Sequence, residues 1–179
     1  MKTKKKIPKQ KIILALQNLE KEDTQVQKIF DKLENRTNTF LSISLGIFSL
    51  QVTLLTNTIL NIFQEYIQQE NVMRILLVLF MTNILLNINA ILNFRRSSKI
   101  SEKIYGHGEK VRDFVQGKLS EKDYSYNKID TYKEHIHINK IKINYKKRYI
   151  NNGLNSIIIS MMLLIIVIII LFTIIYALW

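Results

Sequence analysis

The run Ile157–Leu178, IIISMMLLIIVIIILFTIIYAL, carries no charge and is broken only by Ser160 and Thr173. It lies within the span Leu154–Trp179, and two further apolar spans precede it, Phe40–Phe63 and Met73–Phe94. A helix rises 1.5 Å per residue, so these spans reach about 33–39 Å, enough to cross a hydrocarbon core of about 30 Å. They predict an all-α membrane protein, with three transmembrane helices and cytoplasmic helical extensions.

Charge predicts the orientation. Residues 1–39 carry ten Lys/Arg against five Asp/Glu, and residues 95–153 carry fifteen against seven. The link Gln64–Val72 holds Glu65 and Glu70 and no basic residue. By the positive-inside rule the N-terminus and segment 95–153 are expected in the cytoplasm, and the acidic link outside. The third span then leaves the C-terminus outside, with Tyr176 and Trp179 at the far interface. A plasma (bacterial inner) membrane location is expected. The net charge of +12 is discounted as evidence for a nucleic-acid partner, and none is expected. Lys, Ile and Asn share A/T-rich codons, but codon bias has no preferred side of a membrane.

Ile12–Leu16 is too short for the apolar core of a signal peptide, and no small-residue cleavage site follows it. The chain has no cysteine, which excludes disulfides, thiolate metal sites and a cysteine nucleophile. No Ser/His/Asp set, phosphate-binding loop or metal-ligand spacing is present, so no catalytic residue, metal or bound cofactor is expected and the chain is not read as an enzyme. His135 and His137 are expected as solvated surface residues.

Four segments follow: a lead-in at 1–39, a transmembrane hairpin at 40–94 (spans 40–63 and 73–94), a cytoplasmic helical segment at 95–153, and the third span at 154–179. Val26, Ile29, Phe30, Leu33 and Phe40 recur at helical spacing and predict an amphipathic helix from about Lys21 into the first span. Ile12, Ile13, Leu14 and Leu16 suggest an earlier turn or two. The second helix is expected to continue past Arg96, with Ile100 and Ile104 on one face, to a break at Gly106-His107-Gly108. Ser120-Glu121-Lys122-Asp123 has capping-box spacing and predicts a new helix start. Residues 135–145 are ambiguous. The isoleucines at 136, 138, 141 and 143 alternate as hairpin strands would, but one helix from about Lys122 into the third span is favoured, since a lone hairpin is marginal in water.

In the first span Ser42, Gly46, Ser49, Thr53 and Thr56 form a heptad-type seam, and in the second Asn83, Asn87 and Ala90 share a face. Small residues allow close helix approach, and Asn amides bond across helices at about 0.6–2 kcal/mol each. The seams suit packing of spans one and two on each other. They also suit self-association that lines a polar path with Asn57, Asn61, Asn83 and Asn87. Span three lacks such a seam and is expected to face lipid. Arg95, Arg96 and Lys99, with Lys146, Lys147 and Arg148, are expected at similar depth just inside the membrane. There they anchor the helices or bind an anion, either a lipid headgroup or a nucleotide phosphate.

This order of parts resembles the membrane effectors of Pycsar anti-phage systems. Glu34-Asn35-Arg36-Thr37-Asn38-Thr39-Phe40-Leu41 is similar to the family's acidic-then-basic entry into span one, where Arg36 replaces the usual Lys. Ile104-Tyr105-Gly106-His107 resembles its aromatic-Gly-His element, and Asp123-Tyr124 and Tyr145-Lys146-Lys147-Arg148-Tyr149 are similar in kind. Gly108 and the isoleucine alternation depart from the pattern. The two-span effectors of nucleotide-signalling defence operons have a related layout but lack the third span. The resemblance implies a homo-oligomeric effector that damages the inner membrane in abortive infection. Its signal would be a cyclic nucleotide from a partner cyclase, met by Arg95, Arg96, Lys99, Tyr105, His107, Lys146, Lys147 and Arg148. The competing expectations are a membrane scaffold whose cytoplasmic helices bind a protein, and a holin-like toxin that needs no nucleotide.

Overall fold

The computed structural model describes residues 9–59, 70–101 and 120–178. No strand occurs among them. Three helices dominate: α1 (Lys9–Leu54), prolonged by a π-helical turn over Leu55–Ile59; α2 (Glu70–Ser98); and α3 (Glu121–Leu178). Each contains a stretch long and apolar enough to cross a membrane, so the chain is an all-α membrane protein with three such helices. Isoleucine-rich runs favour strands in water. In a bilayer nothing hydrogen-bonds an unpaired backbone group, and a helix satisfies its own within one segment.

Local signals set the helix ends. Ser120 caps α3: its Oγ accepts from the Asp123 N–H at 3.1 Å and donates to Asp123 Oδ2 at 2.6 Å. The first helical bond, Tyr124 N–H to the Ser120 carbonyl, follows at 2.9 Å. Helix α3 then runs through 135–145 without a hairpin. Ile129, Ile136, Ile143 and Ile150, seven residues apart, are buried on one face while Ile141 is exposed. Helix α2 ends sooner than its sequence predicts, at Ser98. The Arg95 carbonyl accepts both the Ser98 hydroxyl at 2.8 Å and the Lys99 N–H at 3.2 Å, and Ile100 lies past the helix. The expected break at Gly106-His107-Gly108 and the acidic residue Glu65 fall outside the described residues.

The helices build two compact units. One comprises residues 9–33, 100–101 and 120–145, the other residues 34–59, 70–99 and 146–178. Residues 34–39, 95–99 and 146–153, which the sequence groups with the cytoplasmic segments, therefore pack with the apolar helices. The first unit buries Val26, Phe30 and Leu33 of α1 and Ile129, Ile136 and Ile143 of α3. Lys128–Glu20 (2.9 Å) and Lys140–Glu22 (2.6 Å) pair at its rim, where such bridges contribute about 0–1 kcal/mol each. The Glu20 carboxylate, hydrogen-bonded to Lys128, holds that ammonium above its usual lysine value. The contribution is present below the unfolded lysine value and fades only as pH rises through the folded one, so it is constant near neutrality.

The second unit is an antiparallel three-helix arrangement. Thr37 meets Ser97 (3.0 Å) at one end, and Ser44 and Gln51 of α1 meet Asn87 further along. Helix α3 runs against α2 through Asn89–Ser156 (3.0 Å) and Asn83–Ser160, reaching an apolar cluster of Leu76, Phe80, Val167 and Leu171. Much of its outer surface is apolar, with Val78, Leu85, Ile169 and Phe172 among the most exposed side chains, while Gln51, Asn83, Asn87 and Ser160 are buried beside the apolar cluster. That inversion of the water-soluble pattern fits a solvent of lipid.

Phe94 packs tightly between α1 and α3. Its ring is fully buried and stacks on Phe40 with centroids 5.8 Å apart. A Cβ on Gly153 would stand 2.7 Å from its Cε1 and Cζ, so only glycine admits the ring. Gly153→Ala is expected to lower the thermal midpoint of the detergent-solubilised chain, overpacking costing about 1–3 kcal/mol. Gly46→Ala, whose new Cβ would meet nothing within 4 Å, should be neutral or stabilising by up to about 1 kcal/mol. Circular-dichroism melts compare the two, and equal shifts would mean that the Phe94 ring yields freely.

Candidate functional site

The middle of the second unit holds a polar node. Asn87 Nδ2 donates to the Ser44 carbonyl (3.2 Å) and to Gln51 Oε1 (3.1 Å). Gln51 Nε2 donates to Ser160 Oγ at 3.2 Å, and Ser160 Oγ donates to Asn83 Oδ1. All five residues are buried. Asn83, Asn87 and Ala90 are therefore inward-facing, and their partners are residues the sequence reading did not single out: Ser44, Gln51 and Ser160. The signal was present. Thr37, Ser44 and Gln51 are seven residues apart on α1, and Gly153, Ser156 and Ser160 lie three and four apart on α3. Span three thus does carry a polar seam, contrary to expectation, because short hydroxyl and glycine positions are needed where α2 presses against it.

The seam expected on α1 points elsewhere. Ser42, Gly46, Ser49, Thr53 and Thr56 are all exposed. Thr53 donates to the Ser49 carbonyl (3.0 Å) and Thr56 to the Val52 carbonyl (3.1 Å), so these hydroxyls are satisfied by their own helix. The α1 seam and the α2 seam do not face each other. Ser44 and Gln51, not Ser42 or Ser49, carry the contact with Asn87.

A basic collar surrounds one end of this unit. Arg36, Arg95, Arg96, Lys99, Lys147 and Arg148 are exposed. Counting five residues each way from the Phe94–Gly153 contact along antiparallel chain places Lys99 level with Arg148, as the sequence predicts for the two clusters. Arg95 and Arg96 occupy the last turn of α2, where cations interact favourably with the helix dipole. Lys146 differs from its neighbours: its side chain is 0% exposed, with Nζ 3.4 Å from Glu34 Oε2. It is directed inward and is not offered to solvent. Tyr105 and His107 lie outside the described residues.

In the first unit His135 is 3% exposed, not solvated as expected, whereas His137 is exposed. Its Nδ1 lies 2.8 Å from Asp23 Oδ1, and Asn139 Nδ2 lies 3.1 Å from its Nε2. Gln27 Nε2 donates to Asp23 Oδ2 at 3.3 Å. An amide nitrogen only donates, so a neutral His135 must accept at Nε2 and donate from Nδ1 to Asp23. Residue spacing alone missed this pair, because Asp23 and His135 are 112 residues apart. Among the described residues no group of three or more His, Asp or Glu side chains could hold a metal ion.

No family model, curated protein or solved structure matches the chain. The fold defines its class: a membrane-spanning α-helical protein with a polar-cored three-helix unit and a basic collar. For the buried pair, His135→Ala and Asp23→Ala are each expected to destabilise by about 1–3 kcal/mol, since each leaves a buried polar partner unmatched. Chemical denaturation of the singles and the double should reveal a coupling of about 0.5–3 kcal/mol, and strict additivity would show that the contact contributes nothing.

Proposed function

We propose that the chain is a non-enzymatic effector of anti-phage defence that impairs inner-membrane integrity in response to a cyclic nucleotide. The observation that carries this reading is the collar. Six exposed cations gather at one end of a three-helix membrane unit, and among the described residues no carboxylate pairs with Arg95, Arg96, Lys99, Lys147 or Arg148. Such a collar suits a phosphate-bearing anion. The positive-inside rule would put it, and the N-terminus, in the cytoplasm, with the C-terminus outside. A nucleotide cyclase, the partner implied by the resemblance to Pycsar effectors, would supply the ligand there. The exposed face of Ser42, Gly46, Ser49 and Thr53 offers a second copy close approach without disturbing the polar node. A polar path lined by Asn83 and Asn87 would instead require their bonds to Gln51, Ser44 and Ser160 to be exchanged.

A second reading has its own support. Ile13, Leu14, Ile29, Ile141 and Tyr145 of the first unit are exposed, and an apolar surface outside the membrane-length stretches suits a scaffold that binds a protein.

A membrane-potential dye in bacteria expressing the chain, with and without a cognate nucleotide cyclase, separates the readings. Depolarisation only with the cyclase is expected. Toxicity without it would favour the nucleotide-independent toxin, and neither effect would favour the scaffold. Joint replacement of Arg95, Arg96 and Lys99 by Gln should raise the half-effective nucleotide concentration about tenfold or more, each lost charged hydrogen bond costing about 1.5–3 kcal/mol. An intact response would return those residues to anchoring.

A further inference from the structure

Two atoms of the polar node find no partner among the described residues: Asn83 Nδ2, a donor, and Asn87 Oδ1, an acceptor. Both residues are 0% exposed and lie near the middle of α2. A buried amide group without a partner costs about 1–3 kcal/mol by protein mutational data, and a surrounding bilayer offers no bulk water to relieve it. Native structures normally resolve such pairs with protein or an ordered water.

The direction of the existing bonds specifies what fits. Asn87 donates to Gln51, Gln51 donates to Ser160, and Ser160 donates to Asn83. The chain of donation therefore ends on an amide that still has a proton to give, and begins on one whose carbonyl still has a lone pair. Its two ends lie one helical turn apart on one face of α2, about 6 Å along the axis. Two hydrogen bonds of about 2.9 Å meeting at one oxygen at a near-tetrahedral angle reach about 4.7 Å, and the rotatable amide ends of two side chains whose Cβ atoms stand about 5–6 Å apart close the remainder. The bridging group must accept from an N–H, donate to a carbonyl and be small, and a water molecule does all three with the minimum of two partners that a buried water needs.

We propose that Asn83 and Asn87 bind a single water molecule that closes a hydrogen-bond ring Asn87–Gln51–Ser160–Asn83–water, joining α1, α2 and α3 midway through the membrane unit. In the ring every member donates in the same sense, an arrangement in which each bond polarises and strengthens the next. The site concerns the bundle itself and does not depend on the effector reading.

The test uses the full chain, labelled with 15N at Asn and Gln side chains and held in lipid nanodiscs. Water-selective NOE and ROE spectra are recorded, and the Asn83 amide is assigned by its disappearance in Asn83→Asp. Expected is a cross-peak between the Asn83 side-chain protons and water, with the sign ratio of a long-lived bound molecule. No cross-peak, as a direct Asn83–Asn87 bond would give, overturns the proposal, and this wild-type measurement needs no functional assay. In Asn87→Leu, if it remains helical, the Asn83 cross-peak should be lost because the water has lost its acceptor. A cross-peak that persists at full intensity there would equally overturn the bridge.

Discussion

The Gln51 carboxamide is the interaction on which the membrane unit depends. It accepts from Asn87 of α2 and donates to Ser160 of α3, so a single planar group on α1 binds both other helices. Helices in lipid gain no hydrophobic energy from touching each other, because a neighbouring acyl chain is as apolar as a leucine. Directional bonds and close packing must therefore choose the register. Gln51 supplies the bonds in mid-bundle, and Phe94, seated over Gly153 and against Phe40, supplies the packing nearer the collar. Shifting any helix by one residue would turn these groups toward lipid, where an unmatched amide is costly.

With polar groups engaged inside, the outside is left apolar, and exposure changes its meaning. Leu85 or Phe172 on the outer surface needs no covering protein, because lipid covers it. The exposed small residues of α1 are a different matter. Ser42, Gly46 and Ser49 are exposed small residues beside bulkier, exposed Leu45 and Leu50, and small residues are what let a second helix approach closely. The exposed cations at one end and the exposed small residues of α1 are the two features on which the proposed effector reading rests.

The first unit follows the ordinary rules of water. Apolar side chains fill its interior and ion pairs decorate its rim, yet Asp23 and His135 are buried within it. A buried pair of this kind contributes little net stability over well-packed apolar residues, and its attested use is to fix register. Asp23 lies seven residues before Phe30 on α1, and Asn139 lies three after Ile136 on α3. The polar groups thus occupy the repeat that the apolar ones also follow, and a slipped pairing would strand a carboxylate among isoleucines.

Much was legible without coordinates. Length and apolarity of three stretches suffice for three membrane-length helices, because the bilayer leaves a lone spanning segment no other way to satisfy its backbone. Ser120 and Asp123 announced the start of α3, since capping is a contact between residues three apart. The spacing of Asn83, Asn87 and Ala90 identified one inward face for the same local reason. What the sequence could not decide was which face of α1 turns inward, since Ser42-Gly46-Ser49 and Thr37-Ser44-Gln51 both repeat at helical spacing. Nor could it pair Asp23 with His135 or Gln51 with Ser160, or turn Lys146 inward beside exposed Lys147 and Arg148. Those choices belong to tertiary structure, because they depend on which groups meet across helices distant in the chain. A residue's own helix determines where it points, but only the neighbouring helices determine whether lipid, water or a hydrogen-bond partner awaits it there.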